Sequence, residues 1–442
     1  MAKHGAPTRK IVRRYDGAMG CCHGYQIDDH GENAFSVDVN ALTFGPGAIA
    51  EVNAHVGTAR RVAVFTDPRV AKLECVEIAR KALSGLDAVV YDAVMVEPTS
   101  ESFLDAARFA RDGRFEAYVS IGGGSVIDTC KAAALYATYP AELDVYVNAP
   151  IGRGAAVPGP LPPHVACPTT CGTGSECTGI AVFDHLARGV KTGIASRHLR
   201  PSRALVDPTA TYTLPASVVA ASGFDVLCHA LESYTARPFT ARPRSSATVQ
   251  RPMSQGRNPW SDLGALEALT IGGKYIVRAV NDPSDTEARE ELAWAATLAG
   301  IAFGNAGVHL PHAMSYSVAG RVSTLDSRYL CPGYPDDLAM VPHGFSVVVN
   351  APSVFRAIFD TSPERHAQAA RALGGETVES ALKELMKKTG VPNGIGGIGY
   401  RASDLDALTE GALAQKRLVE NAPRTFDHAA MRALFEGALK YW

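Results

Sequence analysis

The run SGFDVLCHALESY, residues 222–234, sets Asp225 and His229 four residues apart in a segment with helical spacing. Four residues of helix turn through about 400°, so a carboxylate and an imidazole fall on one face, one turn apart. That is metal-ligand spacing, and equally the spacing of an ordinary surface hydrogen bond. Further imidazoles follow: His309 and His312 in GNAGVHLPHAMSYSVAG, residues 304–320, and His343 in the tetrapeptide Val341-Pro342-His343-Gly344. One carboxylate with up to three imidazoles is an N/O donor set suited to Fe²⁺ or Zn²⁺, with a position left for a substrate oxygen.

A second chemistry is suggested upstream. Gly122-Gly123-Gly124-Ser125 follows the apolar run AYVSI and opens a helical stretch from Val126 to Thr138. Backbone N–H groups and a helix dipole at such a place can hold a diphosphate, although the run is not GxGxxG and a tight turn without a ligand has the same sequence. Asp128 and Lys131, in the first turns of that helix, face either solvent or the cofactor. Thr169, Thr170 and Thr173, in the loop PTTCGTGSE, offer hydroxyl donors to the same ligand, and Lys191 is placed with them. Asp67 ends the strand-like run RVAVFT. It stands where an acidic residue binds ribose hydroxyls, and its charge would repel a 2′-phosphate, which favours NAD over NADP; capping a helix is compatible with that role.

These residues need elements to hold them. Strand, glycine turn and helix alternate from Val37 to Val206, the grammar of a doubly wound α/β domain. From Pro215 onward helical spacing dominates. The expected organisation is a Rossmann-like dinucleotide-binding domain over residues 1–213 and an all-α metal-binding domain over 214–442, interrupted by a Pro-, Arg- and Ser-rich insertion from Arg237 to Trp260.

Composition narrows the function further. A chain of 442 residues is long for one core. Its 43 Lys and Arg nearly cancel 45 Asp and Glu, interspersed, so neither a nucleic-acid footprint nor a membrane patch is indicated, and the expected partners are small molecules and a second copy of the chain in a dimer. Nine cysteines without a CxxC pair suit reduced thiols in a cytoplasmic compartment, or the mitochondrial matrix in a eukaryote. The basic first fifteen residues faintly resemble a transit segment, but Gly5, Pro7 and the lack of Ser suit a frayed terminus better. The Cys21-Cys22-His23 cluster has no assigned role.

Five motifs in order, GGGSxxDxxK at 122–131, PTTxGTGSE at 168–176, GFDxLxHAxES at 223–233, NAGxxxxHAM at 305–314 and the His-Gly at His343, together resemble the iron-containing, group III alcohol dehydrogenases. The resemblance implies a dehydroquinate-synthase-like fold with NAD and Fe²⁺ or Zn²⁺ in a cleft between the domains. By position it makes Asp225, His229, His312 and His343 the metal ligands and leaves His309 outside them. NAPIGRG at 148–154, the insertion, and the long spacer between HAM and PHG are more specifically similar to the hydroxyacid-oxoacid transhydrogenase branch. That branch implies oxidation of 4-hydroxybutyrate to succinic semialdehyde coupled to reduction of 2-oxoglutarate to 2-hydroxyglutarate on a retained nicotinamide. Ordinary members carry a second His four residues after the HAM histidine; here it is Tyr316, so either Tyr316 orients substrate or His309 takes over the proton relay. Both substrates are anions, and Arg237, Arg251, Arg257 and Arg321 are candidate anchors. An NAD-dependent iron-type alcohol dehydrogenase acting on another small alcohol or aldehyde, and a catalytically silent nucleotide-binding protein, stand as the alternatives.

Overall fold

The strand β2, Arg61–Phe65, is exposed only at its first residue and buried at the other four. Such a run has no polar face, and it belongs in a parallel sheet covered on both sides. The computed structural model, which describes residues 31–244, 251–326, 328–335 and 339–442, places it there. Cys21, Cys22 and His23, the basic amino terminus and residues 245–250 of the insertion lie outside the described residues.

With β1 (Ala41–Phe44), β3 (Asp87–Tyr91), β4 (Ala117–Gly122), β5 (His164–Pro168) and β8 (Arg203–Val206), β2 forms a six-stranded sheet ordered β1-β8-β5-β4-β2-β3. Every pairing in it is parallel. Neighbours β2 and β4 send the chain in opposite directions, β2 out to β3 and β4 back to β5. A crevice therefore opens at their carboxyl ends, where α/β sheets bind ligands. Asp67 follows β2 and the glycine run ends β4, so both border that crevice.

Helices cover the sheet. The helix α1, Ser100–Gly113, starts at a capping box in which Thr99 and Ser102 exchange side chain-to-backbone bonds. The second, α2, runs Gly124–Thr138 from the glycine turn. A two-stranded hairpin of β6 (Ile180–His185) and β7 (Val190–Ala195) stands apart from the main sheet. The sequence pattern does not announce β7. Residues 191–194 are all buried, so VKTGIA shows no alternation, and Lys191 and Gly193 break its apolar pattern.

After β8 the described residues contain no strand and turn helical. α3 (Ala216–Thr235) is buried at every residue from Val219 onward. It is enclosed by α4 (Pro259–Asn281), α5 (Thr286–Ala306), α6 (Leu310–Gly320) and α7 (His343–Val348). A helix buried all round must find partners for each polar residue it carries, and Asp225, His229 and Glu232 are three of them. No helix among the described residues is long and apolar enough to cross a membrane.

Candidate metal and nucleotide site

Asp225, His229 and Glu232 stand at i, i+4 and i+7 of α3 and share one face. Glu232 is fully buried and holds the start of α6 with both oxygens: Oε1 lies 2.7 Å from Nδ1 of His312, and Oε2 accepts the His309 backbone N–H at 2.6 Å and that of His312 at 3.4 Å. A carboxylate on Nδ1 fixes that nitrogen as the protonated one and turns Nε2 inward. There Nε2 of His312 is 3.4 Å, Nε2 of His229 3.6 Å and Nε2 of His343 3.8 Å from the same Oδ1 of Asp225. Buried Oδ1 and His312 Nε2 have no hydrogen-bond partner. Buried polar atoms are normally satisfied, so an oxygen and imidazole nitrogens aimed at one point fit a cation between them. Donor atoms of Asp225, His312 and His343 all lie within 4.8 Å of one another. His229 sits at the edge of that group, stacked on Phe303 with ring centroids 4.0 Å apart.

Charge follows the same geometry. Burial pushes the Asp225 carboxyl up, but His229, His343 and His312 outweigh it and hold the group well below the usual carboxylate range. Burial would likewise lower His312; Glu232 and Asp225 overcome this and raise it to about 9. His229, with weaker support, is pulled down by burial to about 4. Gly344 explains the His-Gly pair: a Cβ there would lie 1.8 Å from the Ala221 carbonyl oxygen and 3.1 Å from the Asp225 Cβ. Only glycine lets α7 lie against α3 with His343 in reach of Asp225.

The glycine-turn end is built from interlocked loops. A Cβ on Gly124 would lie 2.7 Å from the Thr173 methyl carbon, and one on Gly123 3.2 Å from that of Thr170. Thr169 is buried beneath, its N–H donating to the Gly122 carbonyl at 3.0 Å. Asp67 is buried and uses Oδ1 to accept from the N–H groups of Arg69 and Val70. Neither Asp128 nor Lys131 faces solvent. Asp128 accepts from the Val182 N–H and from Ser175, while Lys131 bonds Asp128, the Ser175 hydroxyl and the Ile180 carbonyl. The pair ties α2 to the second loop and to β6. Lys191 is 3% exposed, its ammonium 2.6 Å from Glu97 and 3.0 Å from Asp184.

A cleft of about 890 Å³, mouth included, joins the two ends. Gly124, Ser125, Asp128, Thr173, Lys191, Asp225, His229, His312, Tyr316 and His343 line it. Asp67, Gly122, Gly123, Thr169 and Thr170 do not line it. His309, read from sequence as a possible relay, is not brought to the cleft. It is fully buried, its Nδ1 accepts the Leu310 N–H at the start of α6, and its Nε2 meets the Thr235 hydroxyl at 3.0 Å. Both ring nitrogens are engaged inside the protein. Of the four candidate arginine anchors none lines the cleft, and Arg251 pairs with Glu32; the insertion reaches the cavity through Ser254 instead. Sequence reasoning missed Glu232, although its i+7 position relative to Asp225 was visible. It also missed Glu97, Phe303 and Arg417, which line the same cleft with no motif to mark them.

Residues 40–208 match the family described as iron-containing alcohol dehydrogenase, and residues 219–325 and 338–439 match the carboxyl-terminal domain of that family. The chain is 46% identical over 426 residues to the mitochondrial hydroxyacid-oxoacid transhydrogenase of Rattus norvegicus, covering 92% of this chain and 90% of that protein. It is 44% identical to the Homo sapiens protein of the same name, covering 97% and 94%. Among solved structures it is similar to a 1,3-propanediol oxidoreductase, with TM-score 0.79 and 27% identity over 92% of this chain and all of that one.

Proposed function

Since the chain belongs to the iron-containing alcohol dehydrogenase family, an oxidoreductase family, we propose that it works as a hydroxyacid-oxoacid transhydrogenase. In this reading a hydroxy acid, 4-hydroxybutyrate, gives up two electrons and its protons to become an aldehyde acid. A 2-oxo acid, 2-oxoglutarate, then takes them up in the same cleft. The observation that carries it is the convergence of three imidazole nitrogens on Asp225 Oδ1 in a cavity that also reaches the Gly124-Ser125 loop. The relatives named hydroxyacid-oxoacid transhydrogenase support a hydroxy acid and an oxo acid as the substrate classes.

Asp225, His229, His312 and His343 would hold the metal, Fe²⁺ by family with Zn²⁺ as the alternative, and Asp67, Gly122–Gly124, Ser125, Asp128, Thr169, Thr170, Thr173 and Lys191 would form or brace the nicotinamide site. Bound there, the metal supplies a Lewis acid for a substrate oxygen and the nicotinamide a two-electron carrier. The chain's own residues do the rest. Glu232 holds His312 in one tautomer and orientation. Phe303 and Val308 keep one wall of the cleft apolar. Tyr316 stands one helical turn after His312, and burial raises its phenol against the opposing pull of Arg417 and Lys191, so at neutral pH it acts as a hydrogen-bond donor to substrate. Asp67 selects NAD over NADP. The protein works as a homodimer in the cytoplasm, or in the mitochondrial matrix of a eukaryote.

The test is turnover of 4-hydroxybutyrate with 2-oxoglutarate by metal-loaded protein without added nucleotide. Turnover that needs free NAD and no oxo acid would instead make the protein an ordinary alcohol dehydrogenase of the same family.

A further inference from the structure

A hydroxy acid and an oxo acid each carry a carboxylate besides the carbon that changes oxidation state, and a cleft that takes both must meet that charge. Among the described residues two basic side chains other than histidine line the cleft, Lys191 and Arg417. Lys191 is already neutralised by Glu97 and Asp184. Arg417 forms no ion pair among the described residues; one nitrogen, Nη1, donates to the Ser254 hydroxyl over a long 3.4 Å. It stands with Tyr316 where the cleft meets a second recess of about 420 Å³, bounded by Ala149, Pro150 and Gln415. A guanidinium offers five N–H donors in a planar fork that matches a carboxylate, and among the described residues only Nη1 of Arg417 is engaged.

We propose that Arg417 binds the substrate carboxylate in both half-reactions, with Ser254 steadying the guanidinium and Tyr316 beside it. The proposal rests on the transhydrogenase reading. If the carrier stays bound, the hydroxy acid and the oxo acid must occupy one place in turn, so one anchor serves both. It also gives the insertion a part: not its arginines but Ser254 meets the site.

The test uses full-length, metal-loaded wild type, R417A and R417K. The KM for 4-hydroxybutyrate and for 2-oxoglutarate rises on the order of 10- to 100-fold in R417A, the loss expected for a charge-assisted pair, with kcat changed less, and R417K recovers part of it. Oxidation of 1-butanol with added NAD, which has no carboxylate, keeps its KM within about twofold. Butyrate binding, followed by calorimetry, weakens by the same factor and reports on the anchor without turnover. Unchanged acid KM values and butyrate affinity, or an equal rise for the acids and for butanol, overturn the anchor. Failure of wild type to couple the two acids overturns the transhydrogenase reading instead, and butyrate binding then still decides whether Arg417 is a carboxylate site.

Discussion

Glu232 Oε1 lies 2.7 Å from Nδ1 of His312, on the opposite side of the ring from the Nε2 that faces Asp225. One fully buried carboxylate thereby sets the direction of a donor that another carboxylate meets. The same Glu232 holds the His309 N–H through its other oxygen, so the start of α6 and the ring that faces Asp225 are fixed together.

Replacing Glu232 by Gln keeps the shape and removes the charge. Metal affinity should fall about 10- to 100-fold, as measured by competition with a chelator, while the fold persists. Wild-type affinity in E232Q would show that the ring is oriented by packing alone.

His312 gives the metal-free protein a pH signature. Its folded value of about 9 lies above the ordinary 6.5, so its contribution is fully present below pH 6.5 and is lost as pH rises toward about 9. His229 and His309, both drawn down by burial to about 4, act in the other direction and lose stability only as pH falls below 6.5. Metal-free protein should therefore lose melting temperature between pH 6.5 and 9. Loaded protein should not, because the cation replaces the proton. A flat profile without metal would show that folding does not raise the affinity of His312 for its proton.

Gly344→Ala should cost about 3 kcal/mol of stability and weaken metal binding, because the new methyl meets the Ala221 carbonyl and pushes His343 away from Asp225. Thermal denaturation and metal stoichiometry check both parts. An unchanged melting temperature would mean that α7 can shift freely.

Asp67→Asn keeps an oxygen for the Arg69 and Val70 N–H groups and removes the charge that would repel a 2′-phosphate. Preference for NAD over NADP, measured as binding affinity, should fall about tenfold or more. An unaltered preference would place the ribose elsewhere.

Much of this site could be read in the chain, because its parts are short and local. Asp225 and His229 share a helix face by spacing alone, and the glycine turn after AYVSI announces the end of a strand. Other parts are set by distant packing. His309 and His312 are three residues apart and equally imidazoles, yet one caps its own helix and the other faces Asp225, a difference made by Glu232 on another helix. Arg417 reaches the cleft from a helical turn of its own far along the chain, whereas the conspicuous arginine-rich insertion points its cations elsewhere. Strand β7 hid for the opposite reason: burial on both faces erased the alternation that would have revealed it.

Retention of the carrier between the two half-reactions is read directly by following a label. Substrate 4-hydroxybutyrate deuterated at its carbinol carbon is incubated with 2-oxoglutarate and the purified, metal-loaded protein, without added nucleotide. Deuterium should appear at C2 of 2-hydroxyglutarate with no washout to solvent. Deuterium that reaches the product only when free NAD is supplied, or never reaches it, would contradict a transhydrogenase with a retained carrier.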